Sequence, residues 1–544
     1  MNDSSLVTTG APAPRIISRA EHNISRSDIS PNALRVLYRL KDAGYQAFLV
    51  GGCVRDLMLG RHPKDFDVAT NALPDQVRAL FRNCRLIGRR FRLAHVYFGR
   101  EVIEVATFRA ASAPAASDEP VSEDELEESE ALNEAQLDEL DELDEEESAD
   151  EDDAELDIDA PDDTSESPTP QPPPQATASA KDESVAVERE QLESEPGLAG
   201  VDHERVHDPH GRLLRDNVYG TIDEDVWRRD FTANALYYNI ADFSVWDYVG
   251  GADDVAARRL RLIGDAETRY REDPVRMLRA ARFEAKLSFS IEPASAAPIA
   301  RLKPLLAGVP PARLFDETQK LFLTGHGERS FEVLRQHALL AELFPTIEKY
   351  LTAHPGSAVE RLLRLGLRNT DARVAADKPV TATFLFALLL YGPIVALIET
   401  LPPQRWHEIS AISGACERAL REASARVSIP RRIALGVREM YTLQPRLEYP
   451  RGKRVLRLLE QPRFRAGFDL LQLRSELGLA SAEIARWWTQ LQSAGPGDRL
   501  NMIDSMLKTR APLPAEGGGA PSGRGGRGRG RGRRRRGRRY SGPA

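Results

Sequence analysis

The stretch FLVGGCVRDLMLGRHPKDFDVAT, Phe48–Thr70, sets a glycine pair and an Asp-x-Asp pair within one short span. An apolar run ending in Gly51-Gly52 reads as a strand entering a glycine turn, where backbone N–H groups can approach a phosphate chain. Neither G-x-x-x-x-G-K-[ST] nor G-x-G-x-x-G is present, so a P-loop and a dinucleotide fold are both unsupported. Arg55, just past the glycines, is a candidate clamp on a triphosphate. Asp65 and Asp67 stand two residues apart on a predicted strand, PKDFDVAT, which projects both carboxylates from one face. Carboxylates that close repel each other unless a cation lies between them. Hard oxygen ligands favour Mg²⁺, which is commonly held by one or two carboxylates plus substrate phosphates. In-line attack on phosphorus uses that arrangement. Taken singly, the glycines read equally as a tight turn and the aspartates as a solvated pair.

The formal charge of −9 conceals a strong segregation. Between Ser117 and Gly197 there are 33 Asp/Glu and 2 Lys/Arg, a net of −31, which leaves +22 on the rest of the chain. Ten of those positives are arginines between Arg524 and Arg539. A basic body with a basic tail points to a polyanion, and nucleic acid is the commonest one. Cys53, Cys84 and Cys416 fit no metal or disulfide framework, so reduced thiols are expected. No run reaches the roughly 20 apolar residues of a membrane span. FLFALLLYGPIVALI, Phe384–Ile398, comes closest, but its Gly-Pro predicts two buried helices. With no apolar signal core at the N-terminus, the expected location is the cytoplasm.

Residues 1–30 are polar and read as a disordered N-terminus. SPNALRVLYRLKDAG, Ser30–Gly44, predicts a helix capped by Ser30, with Pro31 in its first turn and Gly44 as its stop. PDQVRALFRNC predicts a helix, and LAHVYFG and EVIEVATFR a hairpin turning at Gly99-Arg100. Residues 111–206 read as a disordered acidic insertion, with LNEAQLDELDEL as its one candidate partner helix. Order returns at Asp216–Ile240, whose second half reads as helical, followed by the strand-turn unit VWDYVGGADDVAARRLRLIG. From EDPVRMLRAARFEAKL onward the chain is nearly all helical. The Arg/Gly-rich tail, 511–544, is of the kind that binds RNA through charge and arginine stacking; Arg524, Arg527, Arg529, Arg531, Arg533, Arg534, Arg535 and Arg536 are its candidate contacts.

LVGGCVRDLMLGRHPKDFDVAT resembles the signature of the nucleotidyltransferases that extend RNA 3′ ends, the bacterial poly(A) polymerase / CCA-adding group. DNVYGTIDEDVWRRDFTANAL resembles that family's flexible-loop and R-R-D segment, and EDPVRMLRAARF its E-D-x-x-R nucleotide-selecting helix. The match spans Phe48 to about Pro345, interrupted by the acidic insertion. One departure is Cys53, where the family usually has a smaller Gly or Ala. The resemblance implies an α+β nucleotidyltransferase head with a small mixed or antiparallel sheet, residues 31–250. A helical neck, 251–345, and a helical RNA-binding body, 346–510, would follow. It implies that Asp65 and Asp67 hold two Mg²⁺ ions and help activate the RNA 3′-hydroxyl. Glu104 matches the third carboxylate, and Asp230 a motif acid near the nucleotide, with Arg228 and Arg229 beside it. Gly51, Gly52, Arg55 and Arg229 would then surround the triphosphate. An ordinary reading also exists for Glu104, as a strand-surface glutamate, and for Asp230, as a helix cap.

Base choice has a physical account in EDPVRMLRAARF. Asp273 and Arg276, three apart on one predicted helix face, offer an acceptor and a donor. Adenine and cytosine present a matching donor-acceptor edge, whereas guanine and uracil present it reversed. Arg279, a turn further on, is placed for a phosphate or the base. Asp273 before Pro274 reads equally as a cap. RNCRLIGRRFRLAHV and LFLTGHGERSFEVLRQHALLAELFP resemble the poly(A) polymerase branch, so the expected activity is template-independent addition of AMP from ATP to RNA 3′ ends, promoting RNA turnover. CCA addition to tRNA is the alternative. An inactive RNA-binding scaffold is a second, against which the intact Asp65, Asp67, Asp273 and Arg276 weigh. A monomer is expected, with RNA-degradation proteins as partners of the acidic insertion or the tail.

Overall fold

The computed structural model describes residues 13–88, 92–99, 101–110, 205–207, 213–216, 219–452 and 454–509. Most of the acidic insertion and all of the tail arginines lie outside the described residues. The chain divides into two compact units between Leu306 and Ala307. That division falls within residues 251–345, the segment expected to form the neck.

The first unit is built on an eight-stranded sheet in the order β1-β10-β9-β2-β3-β6-β5-β4. Its strands are β1 (Arg15–Ile17), β2 (Ala47–Val50), β3 (Asp67–Thr70), β4 (Cys84–Ile87), β5 (Leu93–Phe98) and β6 (Glu101–Thr107), joined by β9 (Leu236–Asn239) and β10 (Val245–Asp247). A separate hairpin comprises β7 (Arg205–His207) and β8 (Leu213–Asp216), and β11 (Arg259–Leu260) pairs with β12 (Ser290–Ile291). Within the eight-stranded sheet every described pairing is antiparallel except β3 with β6. The sheet is mixed, as the resemblance implied.

Helix α1 (Pro31–Asp42) begins at Ser30, whose hydroxyl accepts from the Asn32 and Ala33 N–H groups, and Gly44 beyond it takes φ +86°. Its buried stripe of Val36, Leu37 and Leu40 packs on β2, β3 and β6. On the other face, Phe48, Phe108, Tyr237 and Tyr248 form a cluster with Ile222 and Val226 of α4 (Ile222–Arg228). The short helices α2 (Gly52–Met58) and α3 (Pro74–Leu80) precede it, and α5 (Gly251–Ala256), α6 (Ala266–Glu272) and α7 (Val275–Leu287) follow.

Two local expectations are corrected. Residues 13–30 are not disordered: β1 pairs with β10, Ile24 and Ile29 are buried, and His22 Nε2 donates to the Phe243 carbonyl at 2.9 Å. The apolar Ile16-Ile17 pair closes the sheet edge, which a polar average over 30 residues hides. The second half of Asp216–Ile240 is not helical either. After α4 comes a single 3₁₀ turn at Thr232–Asn234 and then β9, held between β2 and β10. Two tyrosines in succession suit a pleated central strand better than a helix face.

In the second unit every described regular element is helical. One core joins Leu443, Leu447, Phe464, Phe468 and Trp488, and the Trp488 indole donates to the Leu447 carbonyl at 2.8 Å. The Gly-Pro stretch forms two helices, Ala382–Leu389 and Tyr391–Glu399, bent by 47° and largely buried. Among the described residues no single helix is long and apolar enough to cross a membrane. The three cysteines are free and buried, as expected.

Candidate active site

Gly51 takes φ +78° and ψ −128°, a conformation open to glycine and strained for other residues, and so turns the chain from β2 into α2. Phe66 is buried, Asp65 is exposed and Asp67 is half-buried, and Val68, Ala69 and Thr70 are all buried, so the expected alternation along PKDFDVAT does not extend through the strand. The strand itself starts only at Asp67, and Asp65 lies in the residues leading into it.

The parallel β3–β6 register places Asp67 opposite Glu104, and the antiparallel β5–β6 register places His95 opposite Glu104 on its far side. His95 Nε2 lies 3.7 Å from Glu104 Oε2. Burial, with the Glu104 and Asp65 carboxylates nearby, pushes Asp67 up to about 6, against the pull of Arg229. Burial lowers His95, against the pull of Asp67. Three carboxylates, one histidine and one arginine thus feel each other at the end of the glycine turn. Among the described residues no three His, Cys, Asp or Glu groups meet closely enough to hold an ion by themselves. An oxygen-only pair with a carboxyl raised by burial and by its acidic neighbours suits Mg²⁺, which takes its remaining ligands from water and phosphate.

Arg229 joins the glycine turn to this acidic cluster. Its Nη1 lies 3.7 Å from where a side-chain carbon on Gly51 would stand. The guanidinium is fixed by Asp225: Arg229 Nε and Nη2 donate to Asp225 Oδ2 at 3.1 and 2.9 Å, and Nε also donates to the Tyr237 hydroxyl at 2.7 Å. The Tyr237 hydroxyl donates in turn to Asp225 Oδ2 at 2.7 Å, and Arg228 Nε donates to Oδ1 at 2.9 Å. Although burial raises it, Asp225 is brought down to about 2 by Arg229 and Arg228. Asp225 did not figure among the residues expected from sequence. Its signal was its spacing, three and four residues before two arginines on one helix.

Asp230 is a hub of a different kind. Its Oδ2 accepts from Arg279 Nε and Nη2 at 2.7 and 2.6 Å, while Oδ1 accepts from the Phe231 N–H at 2.8 Å and from Asn234 Nδ2 at 3.3 Å. Burial raises it, but the Arg279 contact prevails and Asp230 falls to about 2. The Asn234 amide oxygen accepts from Arg55, whose Nε and Nη2 also reach Asp56 Oδ1 at 2.9 Å. Arg55 is only 2 % exposed. Its guanidinium is held inside the fold beside the glycine turn, with Nη2 3.5 Å from where a side-chain carbon on Gly52 would stand.

The residues expected to read the base are not on one helix. Asp273 ends α6, because the residue before a proline avoids helical backbone, and Arg276 lies in the first turn of α7. Asp273 Oδ1 accepts from the Val275 N–H at 3.3 Å. Arg276 Nη1 donates to the Arg269 carbonyl at 2.7 Å and to Glu272 Oε2 at 2.9 Å. The same Glu272 oxygen accepts from Arg269 Nη1 at 2.6 Å, and Arg269 Nη2 donates to the Arg228 and Arg229 carbonyls at 2.9 and 2.7 Å. A continuous hydrogen-bonded path thus runs from Arg276 to the segment bearing Arg229. Cys53 is accommodated: its thiol is buried, donates to the Val50 carbonyl at 3.3 Å and is pushed up to about 12 by burial.

Comparison with known proteins adds an independent line. The Poly A polymerase head domain matches residues 47–159 and 173–261, the probable RNA and SrmB-binding site of polymerase A matches 288–351, and the polymerase A arginine-rich C-terminus matches 404–540. Poly(A) polymerase I of Salmonella typhi is 41% identical over 506 residues, covering 92% of this chain and 90% of that protein. Poly(A) polymerase I of Haemophilus influenzae is 39% identical, covering 91% of each. A CCA-adding enzyme of Lactobacillus gasseri is 26% identical over 57% of this chain and 54% of its own. Among solved structures, a tRNA-processing enzyme in its apo form aligns with TM-score 0.48 at 18% identity, covering 87% of this chain and all of the other. Head, RNA-binding and arginine-rich segments match in order, and near-full-length relatives share about two residues in five; the chain belongs to the bacterial poly(A) polymerase I family.

Proposed function

We propose that the chain is a polynucleotide adenylyltransferase that adds AMP from ATP to RNA 3′-hydroxyl ends without a template. The supporting observation is the convergence of Asp67, Glu104 and Arg229 beside the Gly51 turn. The poly(A) polymerase I relatives agree with it in kind.

Asp65 and Asp67 would hold Mg²⁺, which when bound supplies charge stabilisation at the α-phosphorus and favours the alkoxide form of the attacking hydroxyl. Glu104, beside Asp67, takes up the proton that the 3′-hydroxyl releases. Arg229, fixed by Asp225 and Tyr237, carries positive charge to the turn where the triphosphate lies, offsetting the charge on the pyrophosphate that leaves as the bond from the α-phosphorus to the bridging oxygen breaks. Arg55, Asn234, Asp230 and Arg279 keep that turn in place. Asp273 and Arg276 read the adenine edge once ATP draws Arg276 away from Glu272. The enzyme acts as a cytoplasmic monomer and promotes RNA turnover, with the tail arginines adding RNA affinity.

Supplying one nucleoside triphosphate at a time tests this, with Mg²⁺ and either a generic RNA oligomer or a tRNA lacking CCA. Long A tracts on both RNAs are expected. Growth limited to C-C-A on the tRNA would replace the reading with CCA addition.

A further inference from the structure

The second unit holds a cavity of about 830 Å³ bounded by residues 404–410, the end of the helix Arg431–Glu448 and the short helix Arg454–Leu459. Its wall is of two kinds. Ile409, Tyr449 and Leu458 give it apolar surface, and Ile409 is 40 % exposed, so part of that surface is open to water. Arg446, Arg451, Arg454 and Arg457 line the remainder, all four exposed. Elsewhere in this unit arginines are matched to acids: Arg364 to Glu332 and Glu360, Arg368 to Glu328, and Arg474 to Glu448. Among the described residues none of the four at the cavity forms an ion pair. The one acid in the wall, Glu408, is taken by Arg405 at 2.8 Å.

Arg454 and Arg457 stand three apart on one short helix, so like charges face each other at a cost in stability. A bare anion would relieve that cost but leave Ile409 uncovered. The occupant that answers both features carries acids beside an apolar face, and it is written in this chain. The segment LNEAQLDELDEL, residues 132–143, lies outside the described residues. Wound at about 3.6 residues per turn, it would gather Leu132, Leu137, Leu140 and Leu143 on one side and Glu134, Asp138, Asp141 and Glu142 on the other. Residues 144–147 add four further acids. Neither the chemistry at the acidic cluster nor base choice uses these leucines.

Reach does not prevent the match. The residues between Ala110, which is described, and Leu132 span up to about 70 Å when extended. That exceeds the diameter of about 45 Å expected for a compact unit of this size. Because the segment is tethered, its local concentration is high, and a modest contact is enough to hold it.

We infer that residues 132–143 dock as an amphipathic helix in this cavity of the same chain. The leucines cover Ile409 and Leu458, and the flanking acids meet the four arginines, the helix-in-groove mode of recognition. Docked there, the segment screens these cations from other polyanions. Neither the cavity nor the segment depends on the adenylyltransferase reading.

Hydrogen exchange on the purified full chain tests this, with the variants Arg454→Gln/Arg457→Gln, Arg446→Gln/Arg451→Gln and Leu137→Gln/Leu140→Gln/Leu143→Gln. Amides of residues 132–143 should exchange at least about tenfold more slowly in the parent than in either arginine pair. Amides of the helix Arg454–Leu459 should in turn exchange faster in the leucine variant than in the parent. Such reciprocal loss would not follow from a merely local change at either place. Exchange of residues 132–143 at the rate of an unstructured peptide in the parent would overturn the inference, as would protection kept in both arginine pairs. Protection that falls on dilution, with a dimer seen by sedimentation, would place the segment on a second copy and refute docking within one chain. Protection of Arg454–Leu459 that arises only when oligo(A) is added would give the cavity to RNA and refute it equally.

Discussion

Asp67 and Glu104 stand opposite each other in register across the one described parallel pairing of the eight-stranded sheet. Residues 37 positions apart in sequence are thereby made neighbours, and Asp67 is held up to about 6 by burial and by that glutamate. A carboxyl raised by folding favours the folded state below its ordinary value of 3.8, and the advantage is lost as pH rises through about 6. Asp67→Asn keeps the shape without the charge. In EDTA, the variant should be more stable than the parent above pH 6 by on the order of 1 kcal/mol, and the difference should vanish near pH 4. Thermal melts across that range measure it; parallel curves at all pH values would show that the carboxylates do not crowd each other.

Asp67→Ala should cut AMP incorporation by at least about 100-fold, the scale on which losing one preorganised electrostatic contact is felt. Oligo(A) affinity measured without ATP should stay within about twofold. An active variant would remove Asp67 from the chemistry.

Tyr237→Phe keeps the ring lying 5.0 Å from the Arg229 guanidinium but removes the hydroxyl shared by Arg229 and Asp225. The expected cost in stability is about 1–2 kcal/mol, with a rise in the KM for ATP larger than any fall in kcat. Asp225→Asn leaves two arginines short of their common counter-charge and should cost about 3–5 kcal/mol. Denaturant melts and ATP titrations separate the two effects.

Gly51 and Gly52 should respond differently to alanine. At Gly51, φ of +78° makes any side chain strained, so Gly51→Ala should lose roughly 1–3 kcal/mol and most of the ATP affinity. At Gly52 the added carbon would meet Arg55 Nη2 at 3.5 Å, an ordinary contact, and stability should hold. Equal losses at both positions would mean that the turn does not depend on its positive φ.

Arg276→Ala should weaken the rejection of GTP and UTP by at least about tenfold relative to ATP. Glu272→Gln, which loosens Arg276 without removing it, should leave that rejection intact while lowering stability slightly. Competition between triphosphates in a single extension reaction reads both variants. Unchanged selectivity in Arg276→Ala would leave base choice to other residues.

Much of the site was legible because its signals are local. A glycine turn after an apolar strand and a capped helix at Ser30 each depend on a few adjacent residues, and both are present; of the two aspartates expected on a strand, only Asp67 lies on it. The helical reading of FTANALYYNI failed because an apolar run has no unique period; pairing with β2 and β10 made it a strand. Arg55 was legible as an arginine near the glycines. Which way its guanidinium points was set by Asn234, 179 residues away.

The family, the glycine turn, the acidic pair and the segregation of charge are all written in residue type and short-range order. That Asp225 and Tyr237 fix Arg229, that a helix boundary at Pro274 separates Asp273 from Arg276, and that Arg55 is buried beside the turn came from the fold. Those relationships depend on sheet register and burial, which place distant residues within hydrogen-bonding reach and exclude the water that would otherwise satisfy them.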